Sequence, residues 1–211
     1  APWTMKLDPD ERLTDELKQQ IELATKQGHY TAYRLPIHLY FMGARLPSVL
    51  RLTRLWRTGS VQFSDVKANE HAHSSGPEGE LSAEIMHLDS PDLDHWLTKQ
   101  NRYTTAEAIS QFEGKALALP PRFFGTALER RMWLKRNFWK FPGRYVILFL
   151  YHLLVLSAWR AGRVGWIWAR LRTEVYRMWE YKRYEMDRRG HVPIKIPAHP
   201  GEPDSRVQLY K

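Results

Sequence analysis

The spacing of apolar residues changes period within the first helical turn's reach of the N-terminus, and that change constrains the fold more than any other feature. Trp3, Met5 and Leu7 alternate with polar residues, as on one face of a strand over residues 1–8. Asp8-Pro9-Asp10-Glu11 ends the alternation, and Thr14 then stands as an N-cap ahead of Leu17, Ile21 and Leu23-Ala24 at helical spacing, with a stop near Gly28. A strand that passes through an acidic turn into a capped helix is an α/β arrangement. Open α/β sheets place ligands at the carboxyl ends of their strands. The chain enters this pattern without an initiator Met or signal peptide, which reads as a fragment.

Further along, Tyr30 to Phe41 is β-rich, with Pro36 marking an edge or an irregularity. Leu50 to Trp56 and Ser60 to Phe63 suggest a hairpin about Thr58-Gly59. Residues 65–80 read as a polar loop containing Glu70, His71 and His73. Ile85 to Leu88 is a short strand, followed by a helix capped by Ser90 or Asp92 and running through Trp96 to about Phe112. Gly114 to Pro121 is a linker with a double proline.

The second half has a different composition. From Arg122 to Gly190 there are 16 Lys/Arg against 5 Asp/Glu, and six of the nine tryptophans fall there. Basic helices are expected over about Thr126 to Trp139 and Trp166 to Met186. Between them Tyr145 to Trp159 carries no formal charge and is bracketed by Arg144 and Arg160. As a helix those residues would reach about 22 Å, short of the roughly 30 Å hydrocarbon core, which favours an interfacial helix over a full span. A buried helix of a soluble bundle is the competing reading. Cationic residues mixed with tryptophan suit an anionic membrane surface. The chain divides into residues 1–113, a linker over 114–121, a basic Trp-rich helical region over 122–189 and a flexible tail over 190–211.

Three groups of residues could carry chemistry. Asp8 and Asp10 flank one proline at the end of a strand and can converge on a divalent cation, or can be a solvated turn. Glu70 could take a proton from an attacking hydroxyl, or be an ordinary loop glutamate. His71, His73 and His87 could join Asp10 in a mixed imidazole–carboxylate site, or serve in packing and at the surface. The chain has no cysteine, so disulfides and thiolate chemistry are excluded, and no Gly-rich phosphate loop is present.

Taken in order, the motifs resemble family-2 glycosyltransferases of the bacterial lipopolysaccharide-core and exopolysaccharide type. Trp3 to Leu17 (WTMKLDPDERLTDEL) is similar to their metal-binding strand and following helix. Arg54 to Arg57 with Gly59 and Phe63 resembles their RLFR hairpin, and Asn69-Glu70-His71 with Gly76 and Gly79 resembles their EH loop. His87, Leu93, Leu97 and Asn101 to Ala108 (NRYTTAEA) resemble a third block, and Arg160 to Trp166 resembles their membrane-facing helices. The match extends over nearly all of residues 1–189. The segment Gly43 to Arg51 departs from it, being shorter than the family's usual loop.

The resemblance implies a partial, Rossmann-like GT-A domain, its N-terminal nucleotide-binding part missing, over residues 1–113, followed by basic amphipathic membrane-associating helices. It implies metal-dependent, inverting transfer of a sugar from a nucleotide-diphosphate sugar to a hydroxyl of a lipid-linked glycan, in cell-envelope or exopolysaccharide biosynthesis. Asp8 and Asp10 would hold the divalent cation (Mg2+ or Mn2+) and through it the donor. Glu70 would be the base, and His87 would line the site among the metal-binding residues. Anionic membrane, nucleotide-sugar and lipid-linked glycan are the expected partners, at the cytoplasmic face of the bacterial inner membrane, peripheral or monotopic. Nucleic acid is not expected, because the positive charge accompanies an apolar helix. The alternative is a noncatalytic basic module that docks on membrane or nucleic acid, which would have no need of Asp8, Asp10 and Glu70 around one cleft.

Overall fold

The structure, a computed structural model, describes residues 1–63, 72–114 and 122–192. The chain forms two compact units, residues 1–91 with 156–165, and residues 92–155 with 166–211. Residues 93–112, the second helix, fall in the second of these units.

The first unit is a mixed sheet with one helix packed against it. Its elements are β1 (Trp3–Met5), β2 (Glu11–Leu13), α1 (Asp15–Gln27), β3 (Ala32–Phe41), β4 (Ala44–Arg57), β5 (Val61–Phe63), β6 (Ala72–Ser74), β7 (Glu78–Glu80) and β8 (Ile85–Leu88). Strand order is β1-β4-β3-β8-β2, with β7 alongside β3 and a separate β5-β6 pair. β3 runs parallel to β8, and β8 antiparallel to β2.

The Thr14 hydroxyl accepts from the Leu17 N–H, and Gly28 closes α1 by donating its N–H to the Ala24 carbonyl, as the sequence punctuation suggests. Leu17, Ile21 and Ala24 line one face of α1 and meet Tyr33, Leu35, Ile37, Leu55 and Ile85. Leu17, Leu35 and Ile85 are fully buried, each stabilising the unit by about 2 kcal/mol.

Two expectations need correction. The hairpin about Thr58-Gly59 does not form between Leu50–Trp56 and Ser60–Phe63. Instead β4 folds back on β3 through Met42 and Gly43, both with positive φ (48° and 76°), in the two-residue turn that suits a twisted ribbon. Residues 55–57 of β4 pair β1 on the other side, so both edges there are taken and β5 pairs β6 instead. Gly43 to Arg51, expected as a shortened loop, is mostly this strand.

Pro36, expected to mark an edge or an irregularity, marks an irregularity within the central strand. It falls between the β7 pairing, which ends at Arg34, and the β8 pairing, which starts at Ile37. That side of β3 has no ladder partner at Pro36, so the missing N–H costs no sheet bond. Gly79 in β7 lies against Tyr30, where an added Cβ would come 2.6 Å from the ring.

The second unit is helical: α2 (Leu93–Phe112), α3 (Ala127–Asn137), α4 (Arg144–Leu150) and most of α5 (Gly162–Arg189). Asp92, one of the two expected caps, accepts from the His95 N–H at the start of α2. Thr126 and Glu129 form a reciprocal capping box on α3. Ala108 and Ile109 of α2 pack with Trp179 and Met186 of α5, flanked by Phe112, Trp139 and Tyr176.

The uncharged run is not one helix. α4 passes into a π-helical turn over Tyr151–Val155, breaks at Ser157 in left-handed geometry, and resumes through a 3-10 turn at Ala158–Ala161. Among the described residues no single helix is long and apolar enough to cross a membrane, although the bent pair Arg144–Val155 and Ala158–Arg189 has the length and composition together.

Candidate functional site

The acidic turn joins β1 to β2. The Glu11 N–H donates to the Asp8 carbonyl at 3.0 Å, which fixes Asp8-Pro9-Asp10 as a tight turn. β2 then enters the sheet with Glu11 directly opposite His87 of β8. One step outward, the Leu88 N–H donates to the Asp10 carbonyl at 2.8 Å. Asp10 just before β2 and Asp89 just after β8 therefore stand at the same end of one antiparallel pair.

The side chains converge accordingly. His87 Nε2 lies 3.2 Å from Asp10 Oδ2. One ligand atom each from Asp10, His87 and Asp89 can be chosen so that all three lie within 4.8 Å of one another, on half-buried side chains. Two carboxylates and one imidazole suit a divalent cation of the Mn2+ or Mg2+ kind, the imidazole favouring the former. Because β3 and β8 are parallel, the cluster sits at the carboxyl end of that pair, where α/β sheets place their ligands.

Asp8 is placed differently. Its Oδ2 accepts from Arg54 Nη2 at 2.9 Å, and the same nitrogen donates to Glu11 Oε1 at 2.7 Å. Glu11 Oε2 accepts from the Asp8 backbone N–H at 2.9 Å. Glu11 is only 2% exposed and Arg54 6%. A buried pair of this kind repays its desolvation only when further hydrogen bonds satisfy it; here the Asp8 carboxylate and amide supply two, while Arg54 Nε is buried without a hydrogen-bond partner among the described residues. Glu11 and Arg54 thus clamp the acidic turn from beneath, while Asp10 is left to face His87.

Glu70 and His71 lie outside the described residues. His73 is in β6, opposite Gln62, and is not in the Asp10 cluster. Sequence reasoning missed Asp89, Glu11 and the positioning role of Arg54. Asp89 had a usable signal, since it directly follows a short strand. Glu11 had none, because a carboxylate beside Asp-Pro-Asp looks like one more solvated acid.

A second polar cluster lies elsewhere in the first unit. Glu84, which precedes β8, accepts from the Tyr40 hydroxyl and from Arg45 Nε, each at 2.8 Å. Burial alone would raise the Glu84 carboxyl, but the hydrogen bonds from Arg45 and Tyr40 outweigh it and lower the pKa. His38 is 6% exposed beside them, and burial together with the Arg45 charge pushes its pKa down.

In the second unit the Asn101–Ala108 block has a structural task. Lys182 Nζ of α5 donates to the carbonyl and side-chain oxygens of Asn101 and to the hydroxyls of Thr104 and Thr105, at 2.6–2.8 Å. An ammonium ringed by neutral oxygens locks α5 onto α2.

No protein-family model matches the chain. A lipopolysaccharide core biosynthesis glycosyltransferase, LpsC of Rhizobium meliloti (strain 1021), is 25% identical over 155 residues. The alignment covers 66% of this chain and 55% of LpsC, so the chain spans about half the length of the relative it matches. The similarity supports a distant relationship to a glycosyltransferase and nothing finer.

Proposed function

We propose that this chain carries part of the catalytic machinery of a glycosyltransferase of lipopolysaccharide biosynthesis, moving a sugar from a nucleotide-diphosphate sugar to a hydroxyl of a lipid-linked glycan. The observation that carries the reading is the convergence of Asp10, His87 and Asp89 at the ends of β2 and β8. It occurs in a chain distantly similar to such an enzyme.

Asp10, His87 and Asp89 would hold a divalent cation, which when bound neutralises charge on the departing diphosphate. The clamp of Arg54 and Glu11 under Asp8 keeps the acidic turn in one geometry, so that Asp10 needs little reorganisation at the moment of transfer. Glu70, carried over from the family resemblance, is the group assigned to take the acceptor proton. The acceptor oxygen then bonds to the sugar carbon from the face opposite the diphosphate, the carbon–diphosphate bond breaks, and configuration inverts. The resemblance, rather than any distance, supports the base assignment and the inversion.

The membrane part of the reading rests on α4 and its continuation. Val146 is 63% exposed, Ile147 59%, Leu154 56% and Val155 69%, an aliphatic face on a strongly basic unit. Such a face suits peripheral or monotopic attachment to an anionic leaflet, at the cytoplasmic side of the bacterial inner membrane, beside a lipid-linked acceptor.

The test is release of nucleoside diphosphate from a panel of nucleotide-sugars in the presence of lipid-linked glycan, with the protein in its longest natural form. Asp10→Ala should lower turnover at least about 100-fold with the fold retained. Unchanged turnover in that variant, or in excess chelator, would refute the reading. A noncatalytic docking module is the remaining alternative, favoured by the basic, apolar second unit alone, and it predicts no diphosphate release with any donor.

A further inference from the structure

We infer that the slot between α4 and the middle of α5 seats the phosphate of one acidic membrane phospholipid, gripped by Arg170 and Arg177 with its acyl chains along Val146 and Ile147. The inference rests on the membrane part of the proposed function and deepens it from a surface to a site.

The slot lies wholly within the second unit and has a volume of about 270 Å³. Its α5 wall is Trp166, Arg170, Thr173, Glu174 and Arg177, residues that share one helix face by their three- and four-residue spacing. Its α4 wall is Tyr145, Val146 and Phe149. The slot therefore has two chemistries, aromatic and aliphatic on one side and cationic on the other.

The cations are disposed for an anion. Arg170 is exposed and has no ion pair among the described residues. Arg177 stacks its guanidinium on the Tyr145 ring at 4.6 Å, which holds the plane, with Nε buried. Glu174 is the one acid in the lining. It stands 3.5 Å from Arg177 Nε, where it offsets part of one charge and leaves Arg170 uncompensated. Phe149 and Trp166 meet edge to face at 4.9 Å and close the slot's end with apolar surface.

From the slot's wall outward, Val146 and then Ile147 are more than half exposed, and Leu150 and Leu154 continue the ridge. A free phosphate would leave that ridge in water. A phospholipid fills both parts at once, its charged head against the arginines and its chains along the ridge. This charge and apolar complementarity decides for a lipid.

The full chain is to be sedimented with phosphatidylcholine vesicles containing one-quarter phosphatidylglycerol, at physiological salt. Arg170→Gln with Arg177→Gln should lower partitioning at least about tenfold more than Arg188→Gln with Arg189→Gln, which removes equal charge from the far end of α5. Arg170→Gln alone, at an exposed position, should show the larger part of the loss and keeps the test open if the double variant unfolds by circular dichroism. Vesicles carrying the same charge as fatty-acid carboxylate should bind more weakly, and millimolar inorganic phosphate should not displace the protein. Equal losses in the two double variants, or equal binding to carboxylate vesicles, would overturn the slot while leaving membrane attachment standing. Displacement by inorganic phosphate would assign the slot to a free anion instead. Absence of binding to every vesicle would overturn the slot and the membrane attachment together.

Discussion

Arg54 and Glu11 form an ion pair beneath the acidic turn, 2.7 Å from nitrogen to oxygen and almost wholly buried, and the turn's own Asp8 completes it. The contact joins residues more than forty positions apart, just beyond the β1–β4 ladder. Removing Arg54 leaves the buried Glu11 carboxylate uncompensated, and removing Glu11 leaves the buried guanidinium only the half-exposed Asp8. Glu11→Leu or Arg54→Met should each cost about 3–5 kcal/mol, and the double variant clearly less than the sum. Urea denaturation of the four proteins measures the cycle; additive losses would mean that the pair is not a unit.

Lys182 gives a second quantitative expectation. Its ammonium is the shared donor to Asn101, Thr104 and Thr105, and Lys182→Met keeps most of the apolar stem while removing it. The variant should lose about 2 kcal/mol, with faster amide exchange in the middle of α2 and little change in the sheet. A loss below a few tenths of a kcal/mol would show that the ring of oxygens does not anchor α5.

Acid should destabilise the second unit through His152. Its ring is 6% exposed, lies edge to face with Trp168 at 5.2 Å, and neither nitrogen has a hydrogen-bond partner among the described residues. Burial, with the charge of Arg172, lowers its pKa to about 4, so the folded state keeps the ring neutral where the unfolded chain would protonate it. The unfolded state binds more protons between pH about 6.5 and about 4. Stability is therefore full above that window and falls through it by up to roughly 3 kcal/mol. Thermal unfolding against pH should show this limb, and His152→Phe should flatten it; an unchanged limb would exclude His152 as its source.

Local punctuation made part of this fold legible. Thr14 and Gly28 bound α1, and Asp92 opens α2, because caps act within one turn and need no partner from elsewhere. Pairing was harder to read. Thr58-Gly59 makes a turn, but whether Ser60–Phe63 returns along β4 depends on whether β4 is already paired, and β1 and β3 had taken both edges. The helix break at Ser157 was hidden for a different reason, since a serine in left-handed geometry carries no sequence mark. At the site, Asp10 and His87 were readable as chemistry. Their junction with Asp89 comes from the β2–β8 register, which spans more than seventy residues and is invisible to local pattern.

If Asp10, His87 and Asp89 form one divalent-cation site, Mn2+ binds there and its paramagnetism reports which side chains hold it. In proton NMR spectra of the chain titrated with Mn2+, the imidazole signals of His87 should broaden first. Broadening should be lost in Asp10→Ala and weakened in Asp89→Asn, while Asp8→Asn, whose carboxylate is engaged by Arg54, should retain it. Uniform broadening of all histidines, or selective broadening that survives Asp10→Ala, would contradict the account.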